Sequence, residues 1–524
     1  MLDIILTLAE RFRDQGYELY MVGGAVRDLL LHHNTVADAD LTTNARPDEV
    51  KRLAAPTHPL AIVTVGEQFG TVRLHYQRPS AASESPAPAG PEELADHTAT
   101  DIIEITTYRS DRYTLSSRKP EVTFGDTLEG DLLRRDFTIN AMARDPLTGE
   151  IHDPYGGRTD LELGLIRAVG NDPERRFDED PLRLLRAARF AAQLDFTIEP
   201  ATKAAMARQA STLDKISRER IRDEFTKLLL TPKPGLGIRL LVDLGLMPYI
   251  VPDVLALRGV SQQANPVAVR SKDVYDHVLK VVDRTPPRPA VRWGGLLHDI
   301  AKPRTRSVED GKVHFFGHDD IGAHMARDIL RRLKFDRPFS EHVSLLVRMH
   351  MRANSYLPDW TDGAVRRLML EAGDALPDLL DLSRADITSY RQDKVSRAAA
   401  RINELEARCA WLRDEAERVP LRSPLDGHDL MELFGRGPGP WLRPLKEYLL
   451  GLVIDGELSP DDRAGAQRLA AEFLSQHEDA SGEAGSLSSR GERPTGEPSP
   501  SKAEARSLRR HRSRAESSSH DDGL

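Results

Sequence analysis

The chain has one cysteine, Cys409, in 524 residues, which excludes an internal disulfide and a multi-cysteine zinc site and fits a reducing compartment. It has no apolar run of roughly eighteen residues, the length a membrane-spanning helix needs. Asp3 and Glu10 stand where a signal peptide would be apolar, so a cytoplasmic protein with no membrane partner is expected. A basic excess is also missing: 73 Lys and Arg stand against 82 Asp and Glu, a net charge of −9. Any nucleic acid must then be held by a local basic surface. Aromatic residues stop at Phe473. The remainder of the chain is rich in Ser, Pro and charge, so 474–524 is expected to be disordered, with Arg509, Arg510, Arg512 and Arg514 able to touch RNA non-specifically. Strand character is missing from 78–100, where Pro79, Pro86, Pro88 and Pro91 lie among Ser, Ala and Gly. That stretch reads as a disordered, non-catalytic insertion between two strands. The length allows two to four domains with ample cores.

The features that are present centre on residues 21–40. Residues 19–22 read as a strand, Gly23 and Gly24 as a turn, and 25–31 as a helix. Adjacent glycines let the backbone approach an anion, and the unpaired N–H groups of the following helix point at it, so Gly24 and Arg27 form a candidate phosphate seat. Asp38 and Asp40 come next, between Ala37 and Leu41. In a strand both would project to one side, and a divalent cation relieves such a pair.

The remaining periodicities place an amphipathic helix over 1–18, carried by Leu2, Ile5, Leu8, Ala9 and Phe12, and another opening at Pro47. Strands are expected at 63–65, 72–76 and 101–108, the last with Glu104 between apolar neighbours. Residues 109–125 are polar, basic and without period, and read as a mobile segment. Arg134, Arg135, Asp136, Thr138 and Asn140 crowd polar groups among apolar ones, as sugar hydroxyls and phosphates would require. A Pro-Gly-Gly turn spans 153–161, and a helix is expected over 179–190 with its acids and Pro181 in the first turn. On that helix Asp180, Arg183 and Arg186 fall within about 120° of one another while Arg189 is nearly opposite Asp180. Taken alone, this is i,i+3 ion pairing on a solvated face. Residues 191–260 and 395–473 are helical, with a cap near 424–430. Between them lie His277, the adjacent His298 and Asp299, and Asp386. A His-Asp pair on an apolar helix is costly without a partner.

Gly-Gly-x-x-Arg-Asp followed by Asp-x-Asp resembles the nucleotidyltransferase superfamily to which DNA polymerase beta belongs. The wording is similar to the class II tRNA nucleotidyltransferases, the CCA-adding enzymes and their bacterial poly(A) polymerase relatives. The resemblance covers about residues 15–470 apart from the insertion. It implies an α+β chain: a polymerase-beta-like nucleotidyltransferase head over 1–145, an all-α neck with RNA-binding and base-template roles over 146–265, an HD-type body over 266–395 and a helical tail over 396–473. It also implies that Asp38 and Asp40 hold Mg²⁺, with Glu104 as the third acidic position. Residues 109–125 occupy the place of a flexible loop associated with adding the final A, and 153–161 that of a hinge. Arg135, Asp136 and Asn140 would contact ribose and triphosphate. Asp180 and Arg183 would form a protein template for the edges of C and A, with Arg186 and Arg189 near phosphates or RNA. Partners are then tRNA, CTP and ATP, with the tail at the tRNA elbow.

The pattern His277, His298-Asp299, Asp386 resembles the HD superfamily of metal-dependent phosphohydrolases and implies a second divalent metal. His314, His318, His324 and His350 are further candidates, with His318 and His350 favoured. The competing readings are a poly(A) polymerase, a partial enzyme adding only CC or only A, an HD phosphohydrolase with an RNA-binding head, and a purely RNA-binding protein. The Gly-Arg-Arg-Phe stretch associated with bacterial poly(A) polymerases is absent after Asp40, where residues 66–71 stand in its place, and this favours CCA addition.

Overall fold

The computed structural model describes residues 1–31, 38–65, 70–77, 100–112, 121–125, 127–261, 273–388, 391–418 and 421–485. The chain divides into two compact units, residues 1–415 and 416–524. Most of the insertion, the centre of the 109–125 segment and the chain beyond 485 lie outside the described residues.

The first unit opens with helix α1 (Leu2–Asp14), whose Ile5, Leu8, Ala9 and Phe12 face the core as their spacing requires. Leu2 does not: it is 55% exposed. Strand β1 (Leu19–Val22) comes after it, then helix α2 (Gly24–Leu30), strand β2 (Asp38–Thr43) and helix α3 (Pro47–Ala54). Strands β3 (Ala61–Val65), β4 (Thr71–Gln77) and β5 (Thr100–Thr107) complete the inner sheet. Strands β6 (Arg109–Arg112) and β7 (Glu121–Phe124) pair with each other in a separate antiparallel ladder. The segment read as mobile therefore has paired ends, and residues 113–120 lie outside the description. Helix α4 (Leu128–Leu133) and the two-residue strands β8 (Ala143–Arg144) and β9 (Ile151–His152) lead to helix α5 (Gly157–Glu162).

The sheet order is β3-β4-β5-β2-β1-β8-β9. Strands β2 and β5 pair in parallel, with Asp40 opposite Glu104. Ala39, Leu41, Ile103 and Ile105 are buried, so by the two-residue period Asp40 and Glu104 occupy the other face.

The 153–161 turn has a packing reason for its glycine. A Cβ on Gly157 would come 2.3 Å from the Thr138 carbonyl oxygen and 2.9 Å from Met142 Cγ, while Asp153 accepts hydrogen bonds from the Gly157 and Arg158 amides. Backbone on one side cannot yield, so Gly157→Ala is expected to destabilise the head by roughly 1–3 kcal/mol, read as a shift in the denaturant midpoint.

Helices α6 (Pro173–Glu179) and α7 (Arg183–Leu194) come next. The expected single helix over 179–190 is instead a break between these two. A proline disfavours helical backbone in the residue before it, and Asp180, just before Pro181, is extended at φ −147°, ψ 100°. Among the described residues after α5, strand pairing is confined to a two-residue parallel pairing of Leu165–Ile166 with Thr197–Ile198, a hairpin of Arg306–Glu309 with Lys312–Phe315, and single bridges of Ala168 with Phe137 and Ser261 with Asp273. Trp293 is buried between Phe225 and Phe335, ring centroids 5.4 and 5.3 Å away. One continuous core thus runs from α1 through the neck into the body helices. The helix Gln392–Arg418 buries Ile402, Leu405, Cys409 and Leu412 along one face.

In the second unit, Asp426 caps helix Gly427–Phe434 through a capping box with Asp429. Leu442–Asp455 and Arg463–Gly485 are further helices of this unit. The disorder expected from residue 474 begins too early. Ala466, Ala470 and Leu474 repeat every four residues and are buried against Leu445 and Leu449, which carries the last helix past the final aromatic. No described helix is long and apolar enough to cross a membrane.

Candidate active site

The glycine turn and the helix after it stand where the sequence places them. Gly23 adopts φ +70°, ψ −137° and caps α2, a conformation in which a side chain is strained. A Cβ there would lie 3.1 Å from Arg135 Nη1 and 3.6 Å from Asp40 Oδ2. Turn, arginine and strand carboxylate therefore converge on one point. Asp38 opens β2 two residues earlier. Glu104 stands beside Asp40 in register and receives hydrogen bonds from Arg73 of β4, one at 2.8 Å. Gly24 lies at the first turn of α2, 3.5 Å from Arg27 Nη2 when given a Cβ.

Arg27 is buried and turned toward the neck. It donates to Asp28 at 2.8 and 3.0 Å and to Asn140 Oδ1 at 2.9 Å. Asn140 Nδ2 donates to Asp136 Oδ1 at 3.1 Å, and Arg186 Nε donates to Asp136 Oδ2 at 2.7 Å. Burial works against ionisation of Asp136, but the Arg186 charge and the Asn140 hydrogen bond hold its carboxyl down to about 2. Arg27, Arg186 and Arg189 surround the Phe190 ring, 5.3, 5.4 and 4.1 Å from its centroid. Residues 113 positions apart in sequence, Arg27 and Asn140, are thus linked through Asp136 to α7.

Asp131 belongs to this site and is not singled out by the sequence. Its carboxylate is buried and accepts from Arg134 at 2.8 and 2.6 Å, from Arg135 at 3.2 Å and from Thr42 of β2 at 3.2 Å. Burial raises its pKa, and the two arginines more than offset this, leaving it below the usual carboxylate range. The available signal was the i,i+3 and i,i+4 spacing to Arg134 and Arg135.

The side chains of Asp180 and Arg183 do not pair with each other; the two residues meet only through the Arg183 amide, which donates to the Asp180 carbonyl at 3.0 Å. Asp180 Oδ1 accepts from the Leu182 amide at 3.1 Å and its Oδ2 from Arg220 at 2.9 Å. Arg183 is buried and donates to Glu179 at 3.0 Å and to the carbonyls of Arg176 and Arg134 at 2.9 and 2.5 Å. Arg183 therefore touches the Arg134-Arg135-Asp136 segment. Arg189 donates to Glu224 and Gln193, at 2.5 and 2.9 Å.

A second cluster gathers the histidines. His298, His318 and His350 each direct Nδ1 to the carbonyl three residues earlier, at 2.9, 2.7 and 2.6 Å, and His277 directs Nδ1 to Thr388 Oγ1 at 2.8 Å. All four rings are thereby oriented with Nε2 inward, as metal-ligating histidines are. His277, His298 and Asp386 form one potential ligand group, and Asp299, His318 and His350 another. Asp299 Oδ2 lies 3.3 Å from His277 Nε2, and its Oδ1 lies 3.6 and 3.9 Å from His318 and His350 Nε2. Asp299 Oδ1 and the Nε2 atoms of His318 and His350 are buried without a hydrogen-bond partner, a costly state that a cation would relieve. Asn354 donates to Asp386 at 2.7 Å. His314 stacks on Phe316 and His324 is exposed, so neither joins the cluster.

Family models match the chain in three places: "Poly A polymerase head domain" over residues 19–167, "Probable RNA and SrmB- binding site of polymerase A" over 195–257, and "HD domain" over 268–391. A CCA-adding enzyme of Geobacillus sp. (strain WCH70) is 30% identical over 86% of this chain and 93% of its own length. An A-adding tRNA nucleotidyltransferase of Deinococcus radiodurans is 35% identical over 66% of this chain and 80% of its own. Among solved structures, the Bacillus stearothermophilus CCA-adding enzyme in complex with CTP superposes with a TM-score of 0.62 at 26% identity, covering 91% of this chain and 98% of the other. The acid-bearing strands, the glycine turn and the Arg135-Asp136-Asn140 network all fall inside the matched head, and the likeness extends through neck and body, so the chain belongs to the tRNA nucleotidyltransferase family that contains the CCA-adding enzymes.

Proposed function

We propose that this chain adds CCA to tRNA 3′ ends from CTP and ATP, releasing pyrophosphate at each step. The observation that carries the reading is the convergence of Asp40, Glu104, the Gly23 turn and Arg135 on one face of the sheet. Hard carboxylate oxygens on an accessible strand suit Mg²⁺, with Asp38 and Asp40 as its ligands and Glu104 as the neighbouring acid. Bound there, Mg²⁺ would lower the pKa of the tRNA 3′-hydroxyl and neutralise the triphosphate. Gly24, Arg27 and Arg135 seat the phosphates, while Asp136 and Asn140 hold the ribose. Positioning and charge neutralisation then carry most of the catalysis of an in-line attack.

The working division is a head over 1–145, a neck over 146–265, an HD body over 266–395 and a tail over 396–473, with the neck and tail holding tRNA. Use of CTP, ATP and tRNA fits a cytoplasmic protein. Asp180 and Arg183 select the base, Arg183 leaving Glu179 and Asp180 leaving Arg220 to pair with its edge, with Arg186 and Arg189 close to phosphate or RNA. The purified protein should incorporate CMP and AMP but neither UMP nor GMP into a tRNA lacking its terminus, with one pyrophosphate per nucleotide. Incorporation of all four, or of none, would refute the reading. Arg183→Ala should cut the preference for CTP over UTP roughly 10- to 100-fold, the worth of a charged hydrogen bond. A purely supporting role would lower both rates equally. The 35% identity to an A-adding enzyme favours a second reading, addition of the final A alone, which predicts no CMP incorporation.

We further propose that His277, His298, Asp299 and Asp386 hold a divalent metal, with His318 and His350 as additional donors. Asn354 fixes Asp386, so Asn354→Ala should weaken Co²⁺ binding about 10- to 100-fold, followed by the visible absorption of the bound ion.

A further inference from the structure

The sheet face that bears Asp40 carries a row of side chains across four neighbouring strands. Asp40 of β2 stands opposite Glu104 of β5, Glu104 opposite Arg73 of β4, and Arg73 opposite Val63 of β3. Residues paired in this way share a face. The other face is closed by Ala39, Ile103 and Leu74, all buried. Arg73 donates to Glu104 through Nε, at 2.8 Å, and through Nη2, and both bonds end on the same oxygen, Oε1. Only two of its five N–H donors are used in this way, and its side chain stays 37% exposed. Strand β3 is the edge of the sheet and Val63 is exposed, so the row opens to solvent beyond Arg73.

The proposed phosphate seat gives this row a direction. Gly23 and Arg135 approach Asp40 from the β1 side, whereas Glu104 and Arg73 extend from it on the β5 side. In phosphoryl transfer the attacking and leaving oxygens lie roughly in line through phosphorus. With pyrophosphate leaving on the β1 side, the attacking 3′-hydroxyl arrives over β5, and the nucleotide that carries it extends toward β4. Asp38, Asp40 and Glu104 would repel the phosphodiester of that nucleotide. Arg73, two strand spacings or roughly 10 Å from Asp40, sets a cation in its path.

We infer that Arg73 binds the last phosphodiester of the tRNA acceptor strand and so positions the attacking nucleotide, while its bonds to Glu104 fix the guanidinium. The inference rests on the proposed nucleotide addition. Arginine suits the task because its paired donors match phosphate oxygens.

The test uses the full chain and an RNA minihelix of the acceptor arm ending at the first C, with its last linkage either natural or an uncharged methylphosphonate. Binding is followed by fluorescence anisotropy and needs no turnover. Arg73→Ala and the methylphosphonate should each weaken binding about tenfold, the worth of a charge-assisted hydrogen bond, and together should weaken it no further. Arg73→Lys keeps the charge and should regain part of the sensitivity to the methylphosphonate. The melting temperature should be unchanged, since the pair with Glu104 is about a third exposed. KM for CTP should stay within about twofold of the wild type. A methylphosphonate penalty as large in Arg73→Ala as in the wild type would overturn the proposal, leaving Arg73 as a support of Glu104 alone. A KM for CTP raised as much as the Kd for RNA would also overturn it, by placing Arg73 in the nucleotide seat. CMP incorporation by the same wild-type sample separates the two readings. Coupling between Arg73 and the linkage without incorporation would sink nucleotide addition and leave the contact standing; incorporation without coupling would do the reverse.

Discussion

Asp40→Asn is expected to lower nucleotide incorporation on the order of 10³-fold, because the cation we propose it helps to hold would supply several kcal/mol of charge stabilisation. The substitution keeps the shape of the side chain and removes its charge. Asp40 is exposed on β2, with Ala39 and Leu41 facing the core, so the fold should be retained. The informative comparison is single-turnover CMP incorporation beside the far-UV circular dichroism and melting curve of the same sample. A folded variant with near-normal incorporation would remove Asp40 from the catalytic centre, and with it the two-carboxylate reading of β2.

Asp131→Asn should act on stability and on nucleotide affinity together. One buried carboxylate neutralises Arg134 and Arg135 and is tied to β2 through Thr42. Removing its charge takes from both guanidinium groups the buried carboxylate they share, and breaking one side of such a buried ion pair costs roughly 3–5 kcal/mol. Arg135 also lies against Gly23, so losing its anchor should raise KM for CTP and ATP more than it lowers kcat. Denaturant melts and steady-state kinetics at several nucleotide concentrations measure the two effects. Lower stability with unchanged KM would make Asp131 a support of the fold alone.

These two residues mark what could be read from the chain. Asp40 was legible because a strand period, a glycine turn and a second acid coincide within a short stretch, and the β2–β5 register then puts Glu104 beside it. Asp131 was not, because an aspartate in a short helix looks like a surface residue until β2 is laid over it. The charged neighbours of Asp180 suggest a helix, but Pro181 denies it helical backbone, and its side chain accepts from Arg220, 40 residues on. The ends of 109–125 form a ladder that their polar sequence conceals, since backbone pairing needs no apolar side chains. In the body, the four histidine and aspartate positions were recognisable as a pattern. That Asp299 faces histidines on both sides depends on how the helices His318–Arg332 and Arg337–Asn354 pack over it, which spacing does not encode.

The most direct measurement is product length on three tRNA substrates ending at the discriminator base, at C and at CC, each given Mg²⁺ with CTP, ATP or both. Full CCA addition predicts growth to the same terminal A from all three substrates when both nucleotides are present, a halt at CC with CTP alone, and, with ATP alone, extension of the substrate ending in CC and of no other. Long A tails, extension of only the CC substrate, or no extension of any would contradict it.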